Sequence, residues 1–265
     1  MCGSMIRTLL AATLFLSISA GAQQKDPVEI TSEPSHHLVL ENLFVRVFAV
    51  TVNPKQSTLM HRHGHDYISV ALGNSEIQNT KQGAQPVVVK FKDGQVGYAA
   101  AGLVHSVADN GDGPFRNLTI ELMQPTSNQK ACTENCSIPI ACESADKTRC
   151  VTETKIMGSD QWSVTQIVIP AGATYPKHTH LANFLVMPLA DADVKVRNQD
   201  GPEVSMHNEA GKPTWNNPVV HTLTNSGPTP ARVVLLEFRG RPAGEGSESM
   251  GNPDKAEDHK PHDHH

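Results

Sequence analysis

The stretch TLMHRHGHDYISVAL, residues 58–72, sets His61, His63 and His65 at alternate positions ahead of an alternating apolar run. On a strand, successive side chains point to opposite faces, so histidines two apart share a face and can converge on one point. A lone His-x-His suits a polar strand face or a turn equally well, and Gly64 offers His65 such a turn. A metal site therefore needs a third ligand from elsewhere in the chain.

The third ligand and a second copy of the whole scheme both occur. His105, in AAAGLVHSVADN, follows His63 by 42 residues. At 117 residues beyond His61 and His63 stand His178 and His180 of YPKHTH, and 116 beyond His105 stands His221 of NNPVVHTLTN. Arg116 and Glu121 of FRNLTIEL recur 116 residues on as Arg232 and Glu237 of ARVVLLEF. This period is too long for a solenoid unit of about 20 to 50 residues and fits two tandem domains of about 100 residues each.

Both ends of the 265-residue chain stand apart from this duplication. Residues 1–22 read as a signal peptide: a basic Arg7, an apolar run from Leu9 to Ile18 and the small-residue sequence Ala20-Gly21-Ala22. The apolar run falls short of the roughly 20 residues that span a bilayer, so the expected location is periplasmic or extracellular, without a membrane span. Residues 241–265 offer almost nothing apolar and read as a disordered, His-rich tail. Between the ends, the first barrel is expected over 40–125, a Cys-rich linker over 126–150 and the second barrel over 151–240. Cys132, Cys136, Cys142 and Cys150 all lie in that linker. An even number of cysteines in an exported chain predicts two disulfides of open connectivity, with a four-cysteine zinc site as the alternative. A net charge of −5 with interspersed signs excludes a phosphate-tracking basic patch. No nucleic-acid partner is expected, and homodimerisation is left open.

The period is two nearly everywhere, in FVRVFAVTV, DYISVAL, PVVVKF, WSVTQIVI, NFLVMPL and DVKVRN, with Gly, Pro, Asn and Asp breaking the runs. Short, evenly spaced strands of this kind predict an all-β fold of closed barrels. In each barrel an antiparallel neighbour would carry the third histidine to the His-x-His strand.

The pattern resembles the cupin superfamily in its duplicated form, the bicupins. HRHGHDYISVALG resembles the first cupin motif through His61, His63 and Gly73, and AAGLVHSVADN the second through Gly102, His105 and Asn110. KHTHLANFLVM and PVVHTLTN repeat them with His178, His180, His221 and Asn225. The resemblance spans roughly residues 40 to 240 and implies two jelly-roll-like barrels, each binding a divalent transition metal: iron, manganese, copper, nickel or zinc. The glutamate ligand usual in the family is replaced by Asp66-Tyr67-Ile68 in the first half and Asn183-Phe184-Leu185 in the second. That departure disfavours the bicupin oxalate decarboxylases, which rely on the glutamate, and is similar to the three-His cupin dioxygenases. The expected activity is a dioxygenase-like oxidoreductase acting on a small molecule; the alternative is a non-catalytic protein that binds metal or a small ligand. A catalytic metal needs an acid or base beside it, and His65, Asp66 and Tyr67 next to the first triad place the expected chemistry in the first barrel.

Overall fold

A computed structural model describes residues 26–124, 126–134, 136–142 and 149–239. The expected signal peptide at 1–22 and the His-rich tail at 241–265 lie outside the described residues. Within them the chain is β throughout, apart from a one-turn 3-10 helix at Ile30–Ser32, and no helix is long and apolar enough to cross a membrane.

Four sheets form two tandem two-sheet barrels. In the first barrel, one five-stranded sheet runs Val28–Glu29, His61–Arg62, Val104–Asp109, Ser75–Lys81, Val87–Phe91. The other runs His36–Glu41, Val45–Val52, Phe115–Leu122, Tyr67–Ala71, Val96–Ala99. The second barrel repeats the plan. Its four-stranded sheet is Thr174–His180, Val219–Asn225, Ala192–Asn198, Glu203–Asn208. Its larger sheet is built on Cys150–Gly158, Trp162–Ile169, Ala231–Phe238, Phe184–Pro188 and Thr214–Asn216.

Strand parity explains why the sheets meet where they do. Along Phe115–Leu122, Asn117 and Thr119 point into the first barrel, while Leu118, Ile120 and Leu122 point out of it and are buried nonetheless. They join Val45, Val47, Ile68 and Val70 in one core with Trp162, Val164, Leu185, Met187, Val234 and Leu236 of the second barrel. Two sheets buried on both faces read as continuous apolar runs, which is why VVLL and FLVM show no clean alternation. Arg232 Nη1 donates to Asp93 Oδ2 across the junction at 2.6 Å.

Two boundaries differ from the expected ones. The strands Val28–Glu29 and His36–Glu41, ahead of position 40, pair with the first barrel's strands. Within the expected linker, Lys130–Ala131 and Ser137–Cys142 both pair with Cys150–Gly158 and so extend the second barrel's sheet. The cysteines form two disulfides, Cys132–Cys136 and Cys142–Cys150, and the second staples directly opposed residues of that hairpin.

The two Asn residues matched to the second cupin motif are not equivalent. Asp109 Oδ1 accepts from the Gly111 amide at 2.8 Å, and Asn225 Oδ1 accepts from the Gly227 amide at 3.0 Å. Asp109, not Asn110, therefore makes the turn that Asn225 makes, and it preserves the 116-residue offset.

Candidate metal centres

In each barrel the His-x-His strand lies antiparallel to the strand of the third histidine, with His61 opposite His105 and His178 opposite His221. The register alone sets the third histidine of each barrel beside its His-x-His strand. In the first barrel His63 Nε2 lies 3.0 Å from His105 Nε2, and the His61 and His105 rings are 4.6 Å apart. In the second, His221 Nε2 lies 2.8 Å from His178 Nε2, and one nitrogen from each of His178, His180 and His221 falls within 4.8 Å of the others. Two nitrogens on one ion at about 2.0 to 2.1 Å would sit about 2.8 to 3.4 Å apart, so both spacings match ligands that share a metal.

Four of the six imidazoles have the nitrogen that faces away from the cluster pinned by a hydrogen bond. His61 Nδ1 donates to the Leu59 carbonyl at 2.9 Å, and His105 Nδ1 meets Asn79 Oδ1 at 2.9 Å. His178 Nδ1 donates to the Pro176 carbonyl at 2.8 Å, and His180 Nδ1 meets Glu237 Oε1 at 3.2 Å. Partners of this kind fix the tautomer and orientation of metal-bound histidines. His61 Nε2 and His63 Nδ1 are buried with no hydrogen-bond partner. A buried polar atom without a partner costs roughly 1–3 kcal/mol, and a bound ion relieves that cost at the inward-facing His61 Nε2. The donor sets suit a divalent transition metal.

Burial favours the neutral, metal-binding form of His61, His63, His105, His178 and His221. It pushes His61 down to about 4, against the Leu59 hydrogen bond. His63 is pushed to about 2 and His105 to about 3, first by burial and then by neighbouring histidines. In the second barrel burial lowers His221 to about 4 and also lowers His178.

Of the three residues expected to supply acid–base chemistry beside the first triad, only Tyr67 lines the cavity, where its ring stacks on His63 at 4.0 Å. The Asp66 carboxylate turns elsewhere. It accepts from Tyr98 Oη at 2.7 Å, from the Ala101 amide at 2.8 Å and from the Thr126 hydroxyl. His65 is likewise absent from the cavity wall. His61, His63 and Tyr67 face inward as their parity requires, and the bend at His65 takes its side chain off that face.

The sequence reading missed His36. It lines the first cavity, its ring lies 4.7 Å from that of His61, and its nitrogen is within 4.8 Å of those offered by His61 and His63. The register shows where the signal lay. His36 pairs with Val50 and Glu153 with Ile167, so the 117-residue offset extends upstream and sets His36 in the first barrel against Glu153 in the second. The Glu153 carboxylate accepts from the Tyr175 hydroxyl, and the Tyr175 ring stacks on His178 at 3.9 Å.

The surroundings also differ. The first cluster sits in a cavity of about 100 Å3. The second cluster, in a cavity of about 70 Å3 walled by Ile167, Ile169, Phe184 and Leu235, adjoins another of about 350 Å3. The two share Phe184, Val186, Val194, Asn208, His221 and Leu223.

Two jelly-roll barrels in tandem, each with a His-x-His strand facing a third histidine, define the duplicated cupin fold. Solved structures of that fold are similar to this chain. AerE from Microcystis aeruginosa superposes with a TM-score of 0.53 at 13% identity, over 78% of this chain and 99% of its own. Oxalate decarboxylase from Bacillus subtilis gives 0.52 at 13% identity in a deletion mutant of OxdC, over 76% and 71%. The same values of 0.52 and 13%, over 80% and 78%, are found in a structure whose Mn(II) centres were studied. No family model and no curated protein matches the sequence. At such identity the likeness establishes the fold alone.

Proposed function

We propose that the chain is an exported metal-binding bicupin protein, a dioxygenase-like oxidoreductase acting on a small and largely apolar molecule in the second barrel. His61, His63 and His105 would hold one metal, and His178, His180 and His221 another. Three protein ligands leave coordination positions open for substrate and oxygen, as a catalytic centre requires. The observation that carries the reading is the shared wall: His221 borders both the histidine cavity and the larger cavity beside it.

A divalent metal there would supply Lewis-acid and redox chemistry. The chain's own residues do the rest. Glu237 and the Pro176 carbonyl hold His180 and His178 in place. Phe184, Val186, Val194 and Leu223 exclude water and favour an apolar substrate, and Asn198, Asn208 and Asn216 offer polar groups to orient it. The hydrogen-bonded Glu153–Tyr175 pair can hold a proton beside His178; burial raises Glu153 above the usual carboxylate range, against the pull of Lys155 and His180. Such a wall does not suit a doubly charged anion such as oxalate, the substrate named for the Bacillus neighbour. Export is supported by the leader-like residues 1–22 and by the two disulfides, which belong to oxidising compartments.

A second reading, metal or ligand binding without turnover, is favoured by the additional imidazole of His36 beside the first cluster. Metal analysis of protein purified from its native compartment, followed by oxygen-uptake screening with small aromatic and aliphatic substrates, separates the two. Substrate-dependent uptake that His221→Ala abolishes supports the oxidoreductase. Metal-loaded protein that takes up no oxygen with any of them leaves the binding reading, and protein without metal at either site overturns both.

A further inference from the structure

We infer that His36 is a fourth protein ligand to the metal of the first barrel, with Glu33 orienting it, so that this centre has four nitrogen donors and the second barrel's has three. The inference deepens the proposed metal-binding reading and rests on it.

His36 opens the strand His36–Glu41, which the strand Val45–Val52 holds at the sheet's edge. Its side chain is only 5% exposed and that of Glu33 only 1%. The Glu33 carboxylate is itself fixed. Oε2 accepts from the Ser35 amide at 2.8 Å and Oε1 from the Leu59 amide at 3.1 Å. Oε2 also meets His36 Nδ1 at 2.6 Å. The arrangement is the carboxylate–histidine pair that sets the tautomer of a ligating imidazole and leaves Nε2 for the metal. The Leu59 residue whose amide binds Glu33 has the carbonyl that holds His61 Nδ1. One short segment therefore aligns two of the four imidazoles. The unpartnered His61 Nε2 belongs to the ring nearest His36, which is where a shared ion would sit.

The second barrel shows why this is more than local packing. At the position equivalent to His36 it carries Glu153, whose carboxylate is engaged by Tyr175, and Thr58 stands in the first barrel where Tyr175 stands in the second. The first barrel thus has an imidazole free to ligate at a position where the second has a carboxylate already occupied. A four-donor protein site is the closed form that structural metals take, whereas a three-donor site keeps a position open.

The test uses the full exported chain with the second site removed by His178→Ala and His221→Ala, loaded with Cu(II) or Co(II). Nitrogen hyperfine structure in the Cu(II) spectrum should report four imidazoles, falling to three in His36→Ala and His36→Gln. Competition against a chelator should show metal affinity falling about 10- to 100-fold in Glu33→Gln and further in His36→Ala, with circular dichroism unchanged. Three nitrogens in the parent, or equal affinity in the parent and both His36 variants, would overturn the inference while leaving metal binding intact. A parent that binds no metal would overturn the underlying reading as well. A His36→Ala protein that fails to fold passes the decision to Glu33→Gln and to the parent's nitrogen count.

Discussion

The two barrels are built on equivalent strands in the same register and differ at most of the equivalent inward positions, with Asn79, Asn117 and Thr119 of the first replaced by Val196, Val233 and Leu235 of the second. His36 corresponds to Glu153, Thr58 to Tyr175 and Tyr67 to Phe184. Glu121 is sealed in with Arg46 at 3.4 Å, whereas Glu237 holds His180. The three shared histidines come from the backbone register, which duplication preserves. The character of each centre comes from the residues around them. One barrel lines its cavity with four imidazoles; the other sets three beside a second, larger cavity. A duplicated scaffold can in this way keep one metal for stability and give the other to chemistry.

The largest expected effect tests that division directly. With both sites loaded, His221→Ala should lower any oxygen uptake by more than about 100-fold, since outer-shell partners alone are worth 10- to 100-fold. His63→Ala should leave uptake within about threefold, because well-separated sites act independently. The reverse result would return the chemistry to the first barrel and make Tyr67 its leading candidate.

The shared core makes the opposite claim, that the barrels are coupled in stability. Trp162 is 1% exposed and packs among residues of both barrels. Trp162→Ala should destabilise the chain by about 3–5 kcal/mol, seen by circular dichroism as a single transition moved to lower denaturant. Two separated transitions in the parent would show that the barrels unfold independently.

A smaller effect should stay in one barrel. Replacing Cys142 and Cys150 with Ala opens a loop of 8 residues and should cost about 2–3 kcal/mol by the chain-entropy relation. Metal affinity at the first site should not change, and chelator competition with the second site removed would check this.

Much of this was legible in the sequence because period two and a preserved offset are both direct consequences of strand geometry. The His-x-His spacing gave a shared face, and the 116- and 117-residue offsets gave the second barrel. The placement of His65 and Asp66 was not legible, because adjacency along the chain says nothing about which way the bend at His65 sends a side chain. His36 was hidden for another reason. HHLVLE sits on an edge strand with its outer face wet, and Leu38 and Val39 are 51% and 48% exposed, so it lacks the alternation that marks a barrel strand. Only the offset, carried upstream to Glu153, could have singled it out. The role of Glu237 was similarly present as a repeat marker without a function.

The smallest expected effect separates the barrels at Asp66, whose equivalent is Asn183. In the first barrel the Asp66 carboxylate ties the strand leaving the His-x-His turn to Tyr98, Ala101 and Thr126; in the second, Asn183 Nδ2 donates instead to Asn217 Oδ1 at 2.9 Å. Burial pushes the Asp66 carboxyl up, but the hydrogen bonds from Thr126, Ala101 and Tyr98 outweigh it and hold the group below its ordinary value. A carboxyl depressed in the folded state binds fewer protons there than in the unfolded chain, so its contribution is complete above the ordinary aspartate value near 3.8 and is lost as pH falls through the lower folded value. Asp66→Asn should therefore cost about 1–2 kcal/mol at neutral pH, as expected for a partly exposed charge-assisted set. The gap to the parent should stay constant from neutral pH down to about 5 and close only below about 4. Urea titrations of both proteins across that range provide the check. A gap that closes between about pH 6 and 7 would instead implicate an imidazole, with His65 beside Asp66 the group to replace next.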